Sequence, residues 1–163
     1  MRNRSSGFTL IELLVAVLIA AILARIGFDV YRRYITRANR SVAKTALMSL
    51  AAKQELQALQ NPATGYAVDF VALNGITSTT TPPSFYIDQG GTASTSASGS
   101  LYQISFASTP TASATAYAFQ AVAQGVQATR DAACKTLILN ATGLKQAQNS
   151  SGTAVDPSSC WDK

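Results

Sequence analysis

Between Leu13 and Ala24 the chain carries twelve consecutive residues without a polar side chain, and from Phe8 to Ala24 only Thr9 and Glu12 interrupt the apolar run. Seventeen helical residues span about 25 Å, marginal against the ~20 apolar residues of a full bilayer crossing. Ile26, Gly27 and Phe28 can extend the span while Arg25 snorkels. A secretory signal peptide would be followed by a small-residue A-x-A cleavage site, and none occurs between Leu14 and Val30. The helical pattern does not stop with the apolar run. Tyr31, Ile35, Ala38, Val42, Thr45 and Ser49 recur at intervals of four and three, Leu56 and Leu59 resume the stripe, and Ala43, Ala46, Leu47 and Leu50 form a second row beside it. This predicts an amphipathic helix with one face covered. Gly27 is the only glycine between Gly7 and Gly65, and Asn61-Pro62 supplies the stop. A helix from Phe8 to Gln60 would be about 80 Å long. No compact domain of this size contains it whole, so its first half must find a different environment.

Beyond the helix, residues 61–99 read as irregular. Ser and Thr dominate 77–84 and 92–100, punctuated by Pro82-Pro83 and Gly90-Gly91. Tyr66, Val68, Phe70, Val71 and Leu73 suit a short helix or strand. From Leu101 the period changes to two. Tyr102, Ile104 and Phe106 alternate with Gln103 and Ser105, then Tyr117, Phe119 and Ala121 alternate, and Thr136 to Asn140 is a β-rich run ending before Gly143. Three antiparallel strands are predicted. Leu144 to Lys163 is polar and is expected to be irregular.

Charged residues make up 13% of the chain, against about 25% in a typical soluble domain. There is no histidine, which removes the commonest general base and the commonest metal ligand together. The acids are too sparse for an evident paired-carboxylate site, so neither an enzyme nor a metal or cofactor site is expected. Cys134 and Cys160 belong to no C-x-x-C pair. One disulfide, which needs an oxidising compartment, is the better reading; two free thiols are the alternative. The net charge of +5 is concentrated: Arg25, Arg32, Arg33, Arg37, Arg40, Lys44 and Lys53 face a single acid, Asp29, within the same stretch. Such a run reads as a solvated, lipid-headgroup-facing helix surface. No interleaved aromatic platform or nucleic-acid motif accompanies it, so nucleic acid is not expected as a partner.

Gly7-Phe8-Thr9-Leu10-Ile11-Glu12-Leu13-Leu14 follows a short basic leader, Met1 to Ser6. A glycine at the junction, a bulky apolar residue next and one acid shortly after resemble the prepilin family with its class III signal peptides. The resemblance implies cleavage between Gly7 and Phe8 by a prepilin peptidase and methylation of the new Phe8 amino group. Glycine offers no side chain to obstruct the scissile bond, and a cut before the apolar run keeps that run in the mature protein. Glu12 is the residue of most interest, because an acid at mid-membrane costs about 2.5–3.5 kcal/mol. Snorkelling to the interface is one solution. Pairing with a positive group in an apolar setting, where attraction strengthens, is the other, and the family supplies the Phe8 amino group of the same or an adjoining subunit. Glu12 would then set axial register, as buried polar groups can. Ala16, Ala20, Ala21 and Ala24 would allow close helix approach.

The tail carries a second resemblance. Ala116-Tyr117-Ala118-Phe119-Gln120-Ala121, Gln127, Asp131, Cys134, Thr136-Leu137-Ile138-Leu139, Gly143 and Cys160-Trp161 look like the C-terminal pattern of PilE-type minor pilins. This implies a Cys134–Cys160 bridge closing a C-terminal loop. Two departures stand out. The family usually has proline where Asp29 stands, leaving a kink near Gly27 to Asp29 open, and Arg25 lies within the first third of the helix, at a spacing that allows pairing with Asp29 four residues on. The positive-inside rule, counting Arg2 and Arg4 against Arg25, Arg32, Arg33, Arg37 and Arg40, favours the opposite orientation to the one the leader and disulfide imply.

The expected fold is α+β, the type IV pilin fold: a long N-terminal helix, half transmembrane, packed on a small antiparallel sheet with a disulfide-closed loop. The expected divisions are 1–7 as leader, 8–35 as transmembrane and filament-core helix, and 36–163 as periplasmic head. The resemblance implies a structural minor pilin contributing to pilus assembly, twitching motility or adhesion. Its partners would be other pilin subunits, the prepilin peptidase, the inner membrane and the assembly machinery, with an extracellular pilus as destination. A type II secretion pseudopilin and a DNA-uptake pilin are the alternatives.

Overall fold

The computed structural model of the chain describes residues 8–78 and 80–162. Helix α1 (Leu10–Gln60) runs for 51 residues and ends one residue before Asn61-Pro62. Its hydrogen-bonded pattern continues through Gly27 and Asp29. The chain divides into two compact units, 1–35 and 36–163. In the first, every described residue from Phe8 to Tyr34 is exposed. α1 is long and apolar enough to cross a membrane.

The second unit is built on a seven-stranded antiparallel sheet in the order β2-β1-β3-β4-β5-β6-β7. Its strands are β1 (Ser84–Ile87), β2 (Ala93–Ser94), β3 (Tyr102–Phe106), β4 (Ala118–Ala123), β5 (Thr136–Asn140), β6 (Lys145–Gln148) and β7 (Ala154–Val155). Alternation fixes which face is covered. Phe85, Ile104, Ala121, Leu137 and Ala147 lie in one register row across five strands, and all are buried with Leu47, Leu50 and Ala43 of α1 in a single core. Phe70 joins that core and contacts the rings of Phe85, Phe106 and Phe119 at 4.9, 4.7 and 5.9 Å. The opposite face is mixed and uncharged at its centre, with Val122 and Ile138 among polar residues and a small buried cluster of Ala107, Ala118 and Ile138. There Gln103 donates to Ser84 at 3.1 Å and Gln120 to Ser105 at 3.0 Å.

Three sequence expectations need correction. The face of α1 covered within the head is the second row, extended by polar residues: Thr36, Asn39, Ala43, Leu47, Leu50 and Gln54 are buried. Thr45, Ser49, Leu56 and Leu59 of the first row are exposed. The apolar pattern misled because both ends of the covered stripe meet polar partners. Gln54, for example, donates to the Ala67 carbonyl and accepts from the Ala67 amide at 2.7 and 2.8 Å. Second, the segment expected to be irregular contains β1, whose Phe85 and Ile87 are buried behind Pro82-Pro83, and β2; the short helix α2 (Val71–Asn74) lies in the run that suited a short helix or strand. Third, the tail holds β6, β7 and helix α4 (Pro157–Trp161). Strand β6 buries only Ala147, so it carries almost no apolar alternation. Its turns are held instead by Asn140 and Asn149, whose side-chain oxygens accept backbone amides on the far side of each turn.

Candidate functional site

The start of α1 is the first candidate. Thr9 precedes the first helical residue. Its Oγ1 accepts the Glu12 amide at 3.4 Å and donates to Glu12 Oε2 at 3.4 Å. Thr9 therefore caps the helix start through one orphan N–H, that of Glu12, while the Glu12 carboxylate meets the Thr9 hydroxyl and not the Thr9 amide that a full capping box would use. The spacing was legible in the sequence, and the reading there, fixed on Glu12 alone, missed Thr9. Phe8 and Glu12 are both exposed, as are the apolar side chains around them. Gly7 lies outside the described residues.

The basic run is divided by the structure. Arg40 forms a two-pronged ion pair with Asp131, Nε to Oδ2 and Nη2 to Oδ1, both at 2.6 Å. The Asp131 side chain is 1% exposed and that of Arg40 12%. This hydrogen bond raises the Arg40 pKa against the opposing effect of burial. Lys44 donates to the Trp161 carbonyl at 2.5 Å, and burial, aided by the nearby Arg40 charge, lowers its pKa. Arg25, Arg32, Arg33 and Arg37 are exposed. Arg25 and Asp29 form no ion pair among the described residues, so the pairing expected from their spacing is absent; at i,i+4 on an exposed helix it would contribute only a few tenths of a kcal/mol.

Around Arg40 a buried polar seam joins α1 to helix α3 (Gly125–Arg130) and the residues after it. Gln127 accepts from Asn39 Nδ2 at 3.0 Å, while its own Nε2 lies within reach of the Thr36 carbonyl, the Tyr102 hydroxyl and Asp131 Oδ2 at 3.2, 3.0 and 3.2 Å. Burial, reinforced by Asp131, raises the Tyr102 pKa. The seam continues into the tail through Arg40 Nη1 to the Ser159 carbonyl at 3.4 Å. That tail is fixed by a Cys134–Cys160 disulfide with a Cα–Cα distance of 5.6 Å. Trp161 Nε1 donates to the Gln146 carbonyl at 2.9 Å. Every polar group of the seam is engaged within the head, an arrangement that positions elements and leaves no group aimed at a substrate. A shallow groove of about 380 Å³ between Ser41, Val42, Thr45, Gly90 and Gly91 contains no titratable side chain among its lining residues. No cluster of potential metal ligands occurs among the described residues.

Comparison with known families gives two matches. Residues 2–24 match the prokaryotic N-terminal methylation motif. Residues 30–138, more than half of the chain, match a family described as type IV minor pilin ComP, DNA uptake sequence receptor. The chain belongs to this type IV minor pilin family. No curated protein matches the sequence. The long helix, the antiparallel sheet and the disulfide-closed tail are accordingly the type IV pilin fold. This minor pilin is a subunit of a type IV pilus, associates with other pilins, and is anchored in a membrane by its apolar helix before assembly. The family description returns nucleic acid to the candidate partners, against the expectation from the basic run. Two members of the basic run, Arg40 and Lys44, are engaged inside the head.

Proposed function

We propose that this minor pilin serves DNA uptake, displayed on the pilus so that its head meets DNA outside the cell. The observation that carries the reading is the family match over residues 30–138, which spans most of the head. The chemistry is compatible. Exposed Arg37, Lys53, Arg130 and Lys145 can engage phosphates, and phosphate contacts supply most of the affinity of protein for DNA. The role is structural and involves no catalytic step by the chain itself. Duplex DNA binding by the full chain in detergent should weaken with salt, with a log–log slope of about −0.9 for each phosphate neutralised. Deletion of the gene should abolish DNA uptake while sheared pili persist. Normal uptake with loss of twitching or adhesion would overturn the DNA reading in favour of a motility or adhesion subunit, and a secretion defect would favour a type II pseudopilin.

The processing steps complete the proposal. The methylation-motif match supports cleavage between Gly7 and Phe8 and methylation of the Phe8 amine. It also supports an orientation that leaves residues 36–163 in the periplasm. Glu12 then has a positive partner in the amine of its own or a neighbouring subunit, and Thr9 holds its carboxylate at the helix start. Intact mass of fibre-derived protein should show a start at Phe8, one added methyl and two fewer hydrogens for the disulfide. Assembled protein beginning at Met1 would overturn the processing scheme.

A further inference from the structure

We propose that residues 25–34 of α1 form a collar that binds the phosphate groups of anionic phospholipids in the bilayer holding the unassembled subunit. The membrane reading of α1 supplies the frame. Twenty helical residues cross a hydrocarbon core of about 30 Å. Counted from Phe8, the core ends near Gly27 and Phe28, and the residues beyond enter the headgroup layer. Phe28, Tyr31 and Tyr34 stand there, exposed, at the level where aromatic rings concentrate in membrane proteins. Arg32 and Arg33 follow at the same level, also exposed. Arg32 lies over the Phe28 ring at 5.7 Å from Cζ to the centroid, so one side chain presents an apolar surface to the lipid and a guanidinium to the interface.

The charges share a face. At 3.6 residues per turn, Arg25, Asp29, Arg32 and Arg33 fall within an arc of about 100°. Three arginines against one aspartate leave this arc positive. Helical side chains lean toward the N-terminus, which carries Arg32 and Arg33 back toward the bilayer surface. Arg25 sits up to a turn inside the hydrocarbon boundary and needs a phosphate drawn down to it or a snorkelled conformation. A guanidinium fork meets phosphate oxygens in two-pronged hydrogen bonds, and an anionic phospholipid fits this group better than a zwitterionic one, which carries the same phosphate but adds an ammonium that the arginines repel. The collar also explains why basic charge outweighs acidic charge on this flank of the apolar run, where the positive-inside rule gives it no topological task.

The test uses the full chain in a zwitterionic detergent, titrated with phosphatidylglycerol or phosphatidylcholine, with bound lipid counted by native mass spectrometry. Phosphatidylglycerol should bind at markedly lower concentration. Its affinity should fall about fivefold for each arginine removed, so R32Q/R33Q should lose about 25-fold. K135Q, which removes a half-buried positive charge in the head, should leave lipid binding unchanged, and Trp161 fluorescence should show each head folded. Equal affinity for the two lipids, or an R32Q/R33Q variant that keeps its preference, would overturn the proposal. So would displacement of phosphatidylglycerol by inorganic phosphate at equal concentration, or a duplex DNA that binds the full chain through these two arginines while lipid preference survives their loss.

Discussion

Substitution of Asp131 by leucine tests the buried seam directly. Asp131 is the hub: it accepts both prongs of Arg40 at 2.6 Å and one hydrogen bond from Gln127. Its loss leaves the Arg40 guanidinium, 12% exposed, with the Ser159 carbonyl at 3.4 Å as its remaining acceptor. Removing one partner of a buried pair costs about 3–5 kcal/mol. The residual exposure of Arg40 places D131L at the lower end, about 3 kcal/mol, a large share of the 5–15 kcal/mol that holds a typical domain together. R40M strands a carboxylate that is 1% exposed and should cost about 4 kcal/mol, within the same range. The double variant R40M/D131L replaces the pair by apolar groups and should cost less than either single change. Urea unfolding of the full chain in detergent, followed by Trp161, the single tryptophan, measures all three without screening the ion pair. At a slope of about 1.5 kcal/mol/M the D131L midpoint should fall by about 2 M. A D131L loss below about 1 kcal/mol, or single losses that simply add in the double variant, would refute the claim that this seam holds α1 to α3 and the residues after it.

Other regions give independent tests. The Cys134–Cys160 bridge closes a loop with a sequence separation of 26, so C134S/C160S should cost about 3.5 kcal/mol on the loop-entropy account; an unchanged urea midpoint would contradict it. Gly65 has φ +67, and a Cβ there would lie 2.1 Å from the Ala114 carbonyl oxygen, so G65A should destabilise the head by more than the ~1–2 kcal/mol of left-handed backbone strain alone. Burial raises the Tyr102 and Tyr117 pKa values above the ordinary 10.0. The stability linked to that shift is fully present below pH 10 and is lost as pH rises above it, because the unfolded chain ionises first. The head should therefore weaken above about pH 10, and Y102F should flatten that decline in a pH series of unfolding midpoints; an unaltered slope would dismiss Tyr102 as a contributor.

The sequence determined α1 nearly to the residue, because an apolar run, a sustained 3.6-residue period and Asn61-Pro62 are all local signals. It also determined β3, β4 and β5, whose Tyr102-x-Ile104-x-Phe106 and related alternations survive because those strands are central and covered on one face. The membrane-anchored pilin identity was legible at Gly7 to Leu14 and in the spacing of Cys134 and Cys160-Trp161. Tertiary structure decided the rest. Strand β6 and the edge strand β7 form by backbone pairing with little side-chain burial, so no period announces them. The covered stripe of α1 runs through Thr36, Asn39, Arg40 and Gln54, since the surface it meets is lined by Gln127, Asp131 and the backbone of Ala67, distant in sequence and invisible to any window on the helix. The same long-range pairing withdrew Arg40 and Lys44 from a basic cluster that looked uniform in sequence. Buried polar matches depend on which partners the fold brings together; a helix period or an apolar run depends only on neighbours in the chain.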